Sequence, residues 1–321
     1  MSFNTKPLRD ITQEDIDTYK RDGAVVLRNV FDTDWIDSLE SVARRSQVDG
    51  EDLGLLPHSP GKWLAHAIPE FRRFAFESPV GEAAGKVMQS KEIRFFSDSL
   101  FAKPPQSTRP TVWHNDRMGW PVTGKMVPSL WIPLTPIVKE NCLEVLAGTH
   151  NEDVQYWLFS RNAQRMIKPD DRPIRPEIEC HRGDPNYNFL SWDMDRGDML
   201  VVHPWVLHYS GGNPTNDWRI AASLRVFGDD IRWDPRPDAN NVAGVSFDEM
   251  IEGERPMGTH FPLIWSEDGQ RDDCSTYPHG FSTSWPKMAM DPLEGQRRAD
   301  VMKRLEKEGA LSDSASVPKV L

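Results

Sequence analysis

The run Trp113-His114-Asn115-Asp116 places an imidazole and a carboxylate one residue apart. If the run is a strand, period-two alternation puts both side chains on one face, roughly 7 Å apart along the backbone, where they can converge on one ion. Imidazole nitrogen and carboxylate oxygen are the donors of the two-histidine, one-carboxylate facial triad, which holds Fe(II) and leaves positions open for oxygen and a co-substrate. A His-x-Asp pair arises by chance about once in a chain with nine histidines, so it carries weight only with a third ligand. The segment from Arg196 to His208 offers two, His203 and His208, on or just after an apolar run. A histidine there equally serves to satisfy a hydrogen bond at a strand end. Eleven residues beyond His208 stands Arg219, opening another apolar run. Its planar, permanently charged fork suits a bidentate grip on the distal carboxylate of a dicarboxylic acid. A surface ion pair is the commoner fate of an arginine. The turn Ser210-Gly-Gly-Asn-Pro predicts two antiparallel strands, with His208 and Arg219 facing one cavity.

Such a constellation needs a rigid frame. From about Ile93 the sequence breaks into short apolar or alternating runs separated by Pro, Gly and Asn. The runs are Ile93 to Phe96, Leu100 to Ala102, Val112 to Trp113, Ser129 to Leu134, Leu143 to Leu146, Met199 to Val202 and Ile220 to Phe227. This texture predicts an antiparallel sandwich or barrel and speaks against alternating βαβ units. Ahead of it, Thr12 and Asp15 form a capping-box pattern, Ile16, Tyr19 and Lys20 continue a helix, and Gly23 ends it before Ala24-Val25-Val26-Leu27. A second helix is expected from about Thr33 to Arg45. One domain is expected over residues 1–321, with a helical layer to about residue 90, a β core to about 230 and a C-terminal extension beyond. Asn151 to Trp192 and Pro235 to Gly280 read as long excursions, the kind of segment that serves as a lid or stays mobile. Pro292 to Gly309 reads as a charged, helix-like segment.

Composition narrows the classes. With 38% hydrophobic and 27% charged residues, the chain can bury a core and is not of the disordered type. A net charge of −11 repels polyanions, which excludes nucleic acid as an expected partner and weakly disfavours a CoA thioester. No apolar run is long enough to span a bilayer, and the first ten residues lack the pattern of a signal peptide. Cys142, Cys180 and Cys274 are too scattered for a disulfide framework or a CxxC zinc site. A cytoplasmic protein with no membrane contact is expected.

Several further motifs fall in a definite order. Ile16-Asp-Thr-Tyr-Lys-Arg-Asp-Gly23 precedes Leu100-Phe-Ala-Lys103-Pro-Pro and His114-Asn-Asp116. Trp131-Ile-Pro-Leu-Thr and Glu140-Asn141-Cys-Leu-Glu-Val-Leu-Ala-Gly148-Thr149-His150 follow, and then Gly197-Asp198, His208, Ser210, Asn213 and Arg219. Together, over residues from about 12 to 228, they resemble the phytanoyl-CoA dioxygenase family of Fe(II)/2-oxoglutarate-dependent oxygenases, a group that includes ectoine hydroxylase. The resemblance implies a mainly β fold with flanking helices, a double-stranded β-helix (jelly roll, cupin-like) with the metal at one open end. It implies Fe(II) held by His114, Asp116 and His208, which selects His208 over His203. It also implies 2-oxoglutarate as co-substrate on Arg219, with Ser210 and Trp120 as further contacts, and O2 as oxidant. Ser97 stands near where some relatives carry Gln, and Ala147 replaces the Pro of a PGTH motif. Related halogenases have Gly or Ala in place of the ligand Asp; Asp116 points to oxygenation.

The activity so implied is hydroxylation of an unactivated C–H bond in a small or medium organic molecule, with release of succinate and CO2. Trp113, Arg117, Trp131 and Trp205 lie close in sequence to the ligands and are the candidate substrate contacts. Two other classes remain open at this point. A cupin-like isomerase or ring-cleaving dioxygenase would use the metal without 2-oxoglutarate and have no need of Arg219, and a non-catalytic binding member of the fold would need neither.

Overall fold

The computed structural model describes residues 3–55, 61–152, 178–235 and 250–278, together with 154, 159–160, 165–167, 242, 245 and 311–312. Helix α1 (Gln13–Asp22) starts on the expected capping box, in which Thr12 Oγ1 accepts from the Asp15 N–H and Asp15 accepts from the Thr12 N–H. It ends at Gly23, whose φ of 78° is the left-handed conformation that glycine adopts without strain. Strand β1 (Ala24–Leu27) follows, then α2 (Thr33–Gln47), capped by the Asp32 side chain on the Trp35 N–H. Three shorter helices, α3 (Leu64–Ala67), α4 (Pro69–Glu77) and α5 (Val80–Met88), complete the N-terminal layer.

Two antiparallel sheets form the β region. The larger has the strand order β1–β10–β5–β12–β2–β14, where β2 is Glu92–Lys103, β5 Ser129–Pro133, β10 Met199–Val202, β12 Arg219–Phe227 and β14 Leu263–Ser266. The smaller has the order β3–β11–β6–β9, where β3 is Thr111–His114, β6 Leu143–Leu146, β9 Phe189–Leu190 and β11 His208–Ser210. Strands β4 (Val122–Thr123) and β13 (Arg232–Trp233) pair as a ribbon, as do β7 (Phe159–Ser160), β8 (Arg165–Ile167) and β15 (Leu311–Ser312). This is the jelly-roll arrangement.

Alternation along the larger sheet explains why its strands read as continuous apolar runs. Leu130 and Ile132 of β5, Met199 and Val201 of β10, and Ile220, Ala222, Leu224 and Val226 of β12 join one core with α1 to α5. Trp131, Leu200, Val202 and Ala221 point the other way, into the space between the sheets, and pack with Val145 and Cys142. Both faces are covered, so neither set needs to be polar.

Three features differ from the expectation. Ile93 to Phe96 and Leu100 to Ala102 are one strand, β2, unbroken through Ser97-Asp98-Ser99. Those residues are polar because they line a cavity, while their backbone keeps the ladder with β12. The stretch from Pro235 contributes β14, an edge strand on β2, and Asn151 to Trp192 contributes β9, so each excursion is partly built into a sheet. Finally, β11 and β12 do not pair with each other; the Ser210 to Arg219 turn carries the chain from the smaller sheet to the larger. The segment Pro292 to Gly309 lies outside the described residues.

That turn is tightly seated. A Cβ at Gly212 would lie 2.0 Å from the Ser107 carbonyl oxygen, a backbone atom held by the Asn213 N–H at 2.6 Å. Gly212→Ala is therefore expected to destabilise the fold by about 1–3 kcal/mol, the usual cost of overpacking, seen as a lower urea midpoint. An unchanged midpoint would mean that the turn moves freely.

Candidate metal centre

His114 ends β3, and its register partner across the smaller sheet is His208, the first residue of β11. The imidazole centroids lie 4.3 Å apart. Asp116 is not on the strand. The chain leaves β3 after His114, and Asp116 begins a 3-10 turn over Arg117–Gly119 anchored by the Arg117 N–H on the Pro204 carbonyl. This turn brings the carboxylate back over the two rings, with Asp116 Oδ1 at 3.6 Å from His114 Nε2 and 3.9 Å from His208 Nε2. The three donor atoms lie within 4.8 Å of one another. One ion with ligand bonds of about 2.0–2.2 Å is within reach of all three after small side-chain adjustments.

The surroundings prepare each donor. His114 Nδ1 lies 2.8 Å from the Val112 carbonyl and His208 Nδ1 lies 3.2 Å from that of Val206, which orients each Nε2 lone pair toward the centre. Ser129, across on β5, donates to Asp116 Oδ2 at 2.5 Å and leaves Oδ1 for an ion. Burial opposes ionisation of Asp116, but the imidazoles of His114 and His208, protonated in the acid range where this carboxyl titrates, and the Arg225 guanidinium outweigh it and hold the carboxyl well below the usual range. Burial, with the adjacent His114, pushes His208 down to about 4, so it is a neutral ligand at neutral pH. The His114 side chain is 28% exposed and that of His208 8%, so the centre opens on the side of His114.

Arg219 lies in the same cavity of about 270 Å³, with His114, Asp116, His208, Ser210 and Trp131. It is 2% exposed; its Nη1 donates to Ser210 Oγ at 2.7 Å and to the Asn141 carbonyl at 3.3 Å, and its Nε has no partner. Among the described residues no carboxylate stands within ion-pair distance of it. Burial pushes its pKa down to about 10, still leaving it charged. A desolvated guanidinium without an anion calls for a ligand that brings one. The donor set fits ferrous iron, and the cavity beside it fits 2-oxoglutarate.

The remaining candidates divide. Ser210 shares a face of β11 with His208 and lines this cavity. Trp131 also lines it, with Arg219 over its ring at 5.4 Å. Trp120 instead lines a second cavity of about 350 Å³, which also takes in His114 and Asp116. Trp113, Arg117 and Trp205 line neither. Trp113 stacks on Tyr209 and donates to Glu179, on the outer face of β3; Arg117 pairs with Asp234 at 3.2 Å, and Trp205 packs over Arg117. Strand alternation turns Trp113 away from the centre, the turn after Asn115 does so for Arg117, and Trp205 lies in the loop between β10 and β11. Lys103 was missed as a site residue: it is Arg219's register partner, and its Nζ donates to Ser210 Oγ at 3.1 Å. The signal was its place on the inward face of β2.

His203 stands apart from the triad. Its Nδ1 accepts from the Trp205 N–H at 3.2 Å and its ring lies 4.7 Å from that of His150. Burial and the nearby His150 push it down to about 3. A depressed histidine contributes stability that is full above its unfolded pKa of about 6.5 and is lost as pH falls through the folded value. Asp98 works in the opposite sense, since burial raises it to about 7. The difference in urea stability between the native chain and His203→Gln is therefore expected to shrink steadily from pH 6.5 toward 3. A pH-independent difference would contradict the buried neutral ring.

The chain matches the sequence model of the phytanoyl-CoA dioxygenase (PhyH) family over residues 19–221, more than half its length. It belongs to that family. Among curated members, it is 26% identical over 173 residues to "Phytanoyl-CoA dioxygenase 1" of Oryza sativa subsp. japonica, covering 51% of this chain and 56% of that one. It is 27% identical over 144 residues to the peroxisomal phytanoyl-CoA dioxygenase of Rattus norvegicus, covering 42% and 39%. The match thus spans about half or less of each curated relative. Among solved structures, the non-heme alpha ketoglutarate dependent epimerase SnoN from nogalamycin biosynthesis superposes with a TM-score of 0.61 at 20% identity, covering 79% of this family member and 98% of SnoN. EctD from S. alaskensis, solved with 2-oxoglutarate and 5-hydroxyectoine, gives 0.56 at 17% identity, covering 79% and 93%. At these identities the likeness establishes the shared fold. No helix among the described residues is long and apolar enough to cross a membrane.

Proposed function

We propose that this protein is an Fe(II)- and 2-oxoglutarate-dependent dioxygenase that hydroxylates an unactivated C–H bond of a small or medium organic molecule. The observation that carries the proposal is Arg219, a buried guanidinium that has no carboxylate partner among the described residues and lies in the same cavity as His114, Asp116 and His208. A metal-dependent isomerase or ring-cleaving enzyme has no use for that charge, and a binding module has no use for the triad. When bound, iron and 2-oxoglutarate supply the oxidant: O2 is consumed, 2-oxoglutarate gives succinate and CO2, and one oxygen atom enters the substrate.

The chain's own groups do the rest. His114, Asp116 and His208 would hold the ion at the wall of the cavity. Arg219 and Ser210 orient the distal carboxylate of the co-substrate, and Ser129 keeps Asp116 from rotating. Trp131 and Val202 form the apolar wall that keeps water from the space between ion and guanidinium.

Anaerobic addition of Fe(II) and 2-oxoglutarate is expected to produce a weak visible charge-transfer band, and a substrate screen read by succinate release is expected to find compounds that raise turnover. The product should gain the mass of one oxygen atom. A product of unchanged mass would instead match epimerisation, the activity named for SnoN. Iron binding with no response to 2-oxoglutarate would reject the proposal.

A further inference from the structure

Period-two alternation along β12 puts Arg219, Ala221, Ser223 and Arg225 on the face turned toward the smaller sheet. Arg219 serves the first cavity. Arg225 lines both, and the second cavity also takes in His114 and Asp116, so anything held there lies beside the metal centre.

Arg225 has little to hold it. Among the described residues its one hydrogen bond runs from Nη1 to Ser99 Oγ at 2.9 Å, its Nε is sealed from solvent without a partner, and no carboxylate stands within ion-pair distance. Two arginines more fully buried than the half-buried Arg225 are treated differently: Arg94 faces Asp272 and Arg117 faces Asp234, each at 3.2 Å. The two acids near Arg225 are committed elsewhere, Asp116 to the triad and Asp98 to the Ala65 backbone N–H at 2.7 Å. The charges of iron, 2-oxoglutarate, Asp116 and Arg219 cancel among themselves, which leaves Arg225 facing only Asp98, an acid that burial raises to about 7 and so keeps partly protonated at neutral pH. A cation so placed is retained where an anion meets it.

We propose that Arg225 selects the primary substrate by binding an oxyanion, a carboxylate carried by a molecule seated in the second cavity. This rests on the oxygenase reading above. The rest of the cavity suits such a ligand. The Arg225 guanidinium lies 5.7 Å over the Trp120 ring, and Trp120 meets Phe96 edge-on at 5.9 Å, which gives an apolar wall for a hydrocarbon or ring body. Asn115 is 3% exposed, lines the same cavity, and among the described residues has no partner for either amide atom. A buried amide left without partners is costly unless a ligand supplies them. Asn115 thus reads a polar group on the same molecule, close to the triad.

The test uses the full chain loaded with Fe(II) and 2-oxoglutarate under argon. Calorimetry compares benzoate and octanoate with benzyl alcohol and octanol, matched probes that differ in the anion. The acids are expected to bind at least tenfold more tightly, about 1.4 kcal/mol. Arg225→Gln should erase that preference, Arg225→Lys should retain part of it, and half-saturation by 2-oxoglutarate, read from the charge-transfer band, should change less than threefold in both. Equal binding of acids and alcohols, or no binding of the acids up to tens of millimolar, overturns the proposal. So does an Arg225→Gln variant that loses 2-oxoglutarate as strongly as it loses benzoate, because the oxyanion would then be the co-substrate's own. Preference for the acids with no charge-transfer band supports Arg225 as an anion site and rejects the oxygenase reading instead.

Discussion

His208→Ala is expected to abolish stoichiometric Fe(II) binding and all 2-oxoglutarate turnover, whereas His203→Gln leaves the iron affinity within a few-fold of the native value. Removing even an outer group that orients a ligand typically costs 10–100-fold in metal affinity. Loss of one of three direct donors should exceed about 100-fold, because Asp116 and His114 alone leave the ion with two of its three protein donors. His203 has no such consequence. It follows the last residue of β10, with its Nδ1 occupied by the Trp205 N–H, and takes no part in the cluster around Asp116 Oδ1. Glutamine keeps an acceptor for that N–H. Anaerobic titration followed by metal analysis after gel filtration decides the matter. Loss of iron in the His203 variant and its retention in the His208 variant would transfer the ligand assignment.

How much of this was legible in the sequence depends on the range of the interaction that sets each feature. Gly23 and the Thr12/Asp15 capping box were legible because the cap is made within four residues. The strands were legible as apolar runs, but polar Ser97-Asp98-Ser99 looked like a break, since nothing local says that β2 faces a cavity there. Helices α3 to α5 were not resolved individually because their helical signal is short and dominated by burial against the sheet. At the site, the pairing of His114 with His208 is a contact across ninety-four residues, and only the family's motif order pointed to it. The choice of substrate residues failed to anticipate where Trp113, Arg117 and Trp205 sit. Proximity in sequence to the ligands is a poor guide when every second side chain points to the opposite face. The same rule, applied from Arg219 along its strand, leads directly to Arg225, so the better signal was alternation and not adjacency.

Arg219→Leu is expected to move two measurements in opposite directions. Affinity for 2-oxoglutarate should fall by about 2–5 kcal/mol, the usual cost of removing one partner from a buried charge pair, which is at least thirtyfold in Kd. Iron binding should be nearly unaffected, since no ligand atom is touched. Stability of the chain without co-substrate should be unchanged or should rise, because the native state carries a guanidinium 2% exposed whose Nε has no partner. Exchanging an uncompensated buried charge for a packed apolar side chain is neutral or favourable in comparable settings. Saturating 2-oxoglutarate should then stabilise the native chain, by about 2.7 kcal/mol at a hundred times Kd, and leave the variant where it was. A variant that loses stability yet keeps its 2-oxoglutarate affinity would make Arg219 a brace between Ser210 and Asn141, and would remove the argument for a co-substrate from this cavity.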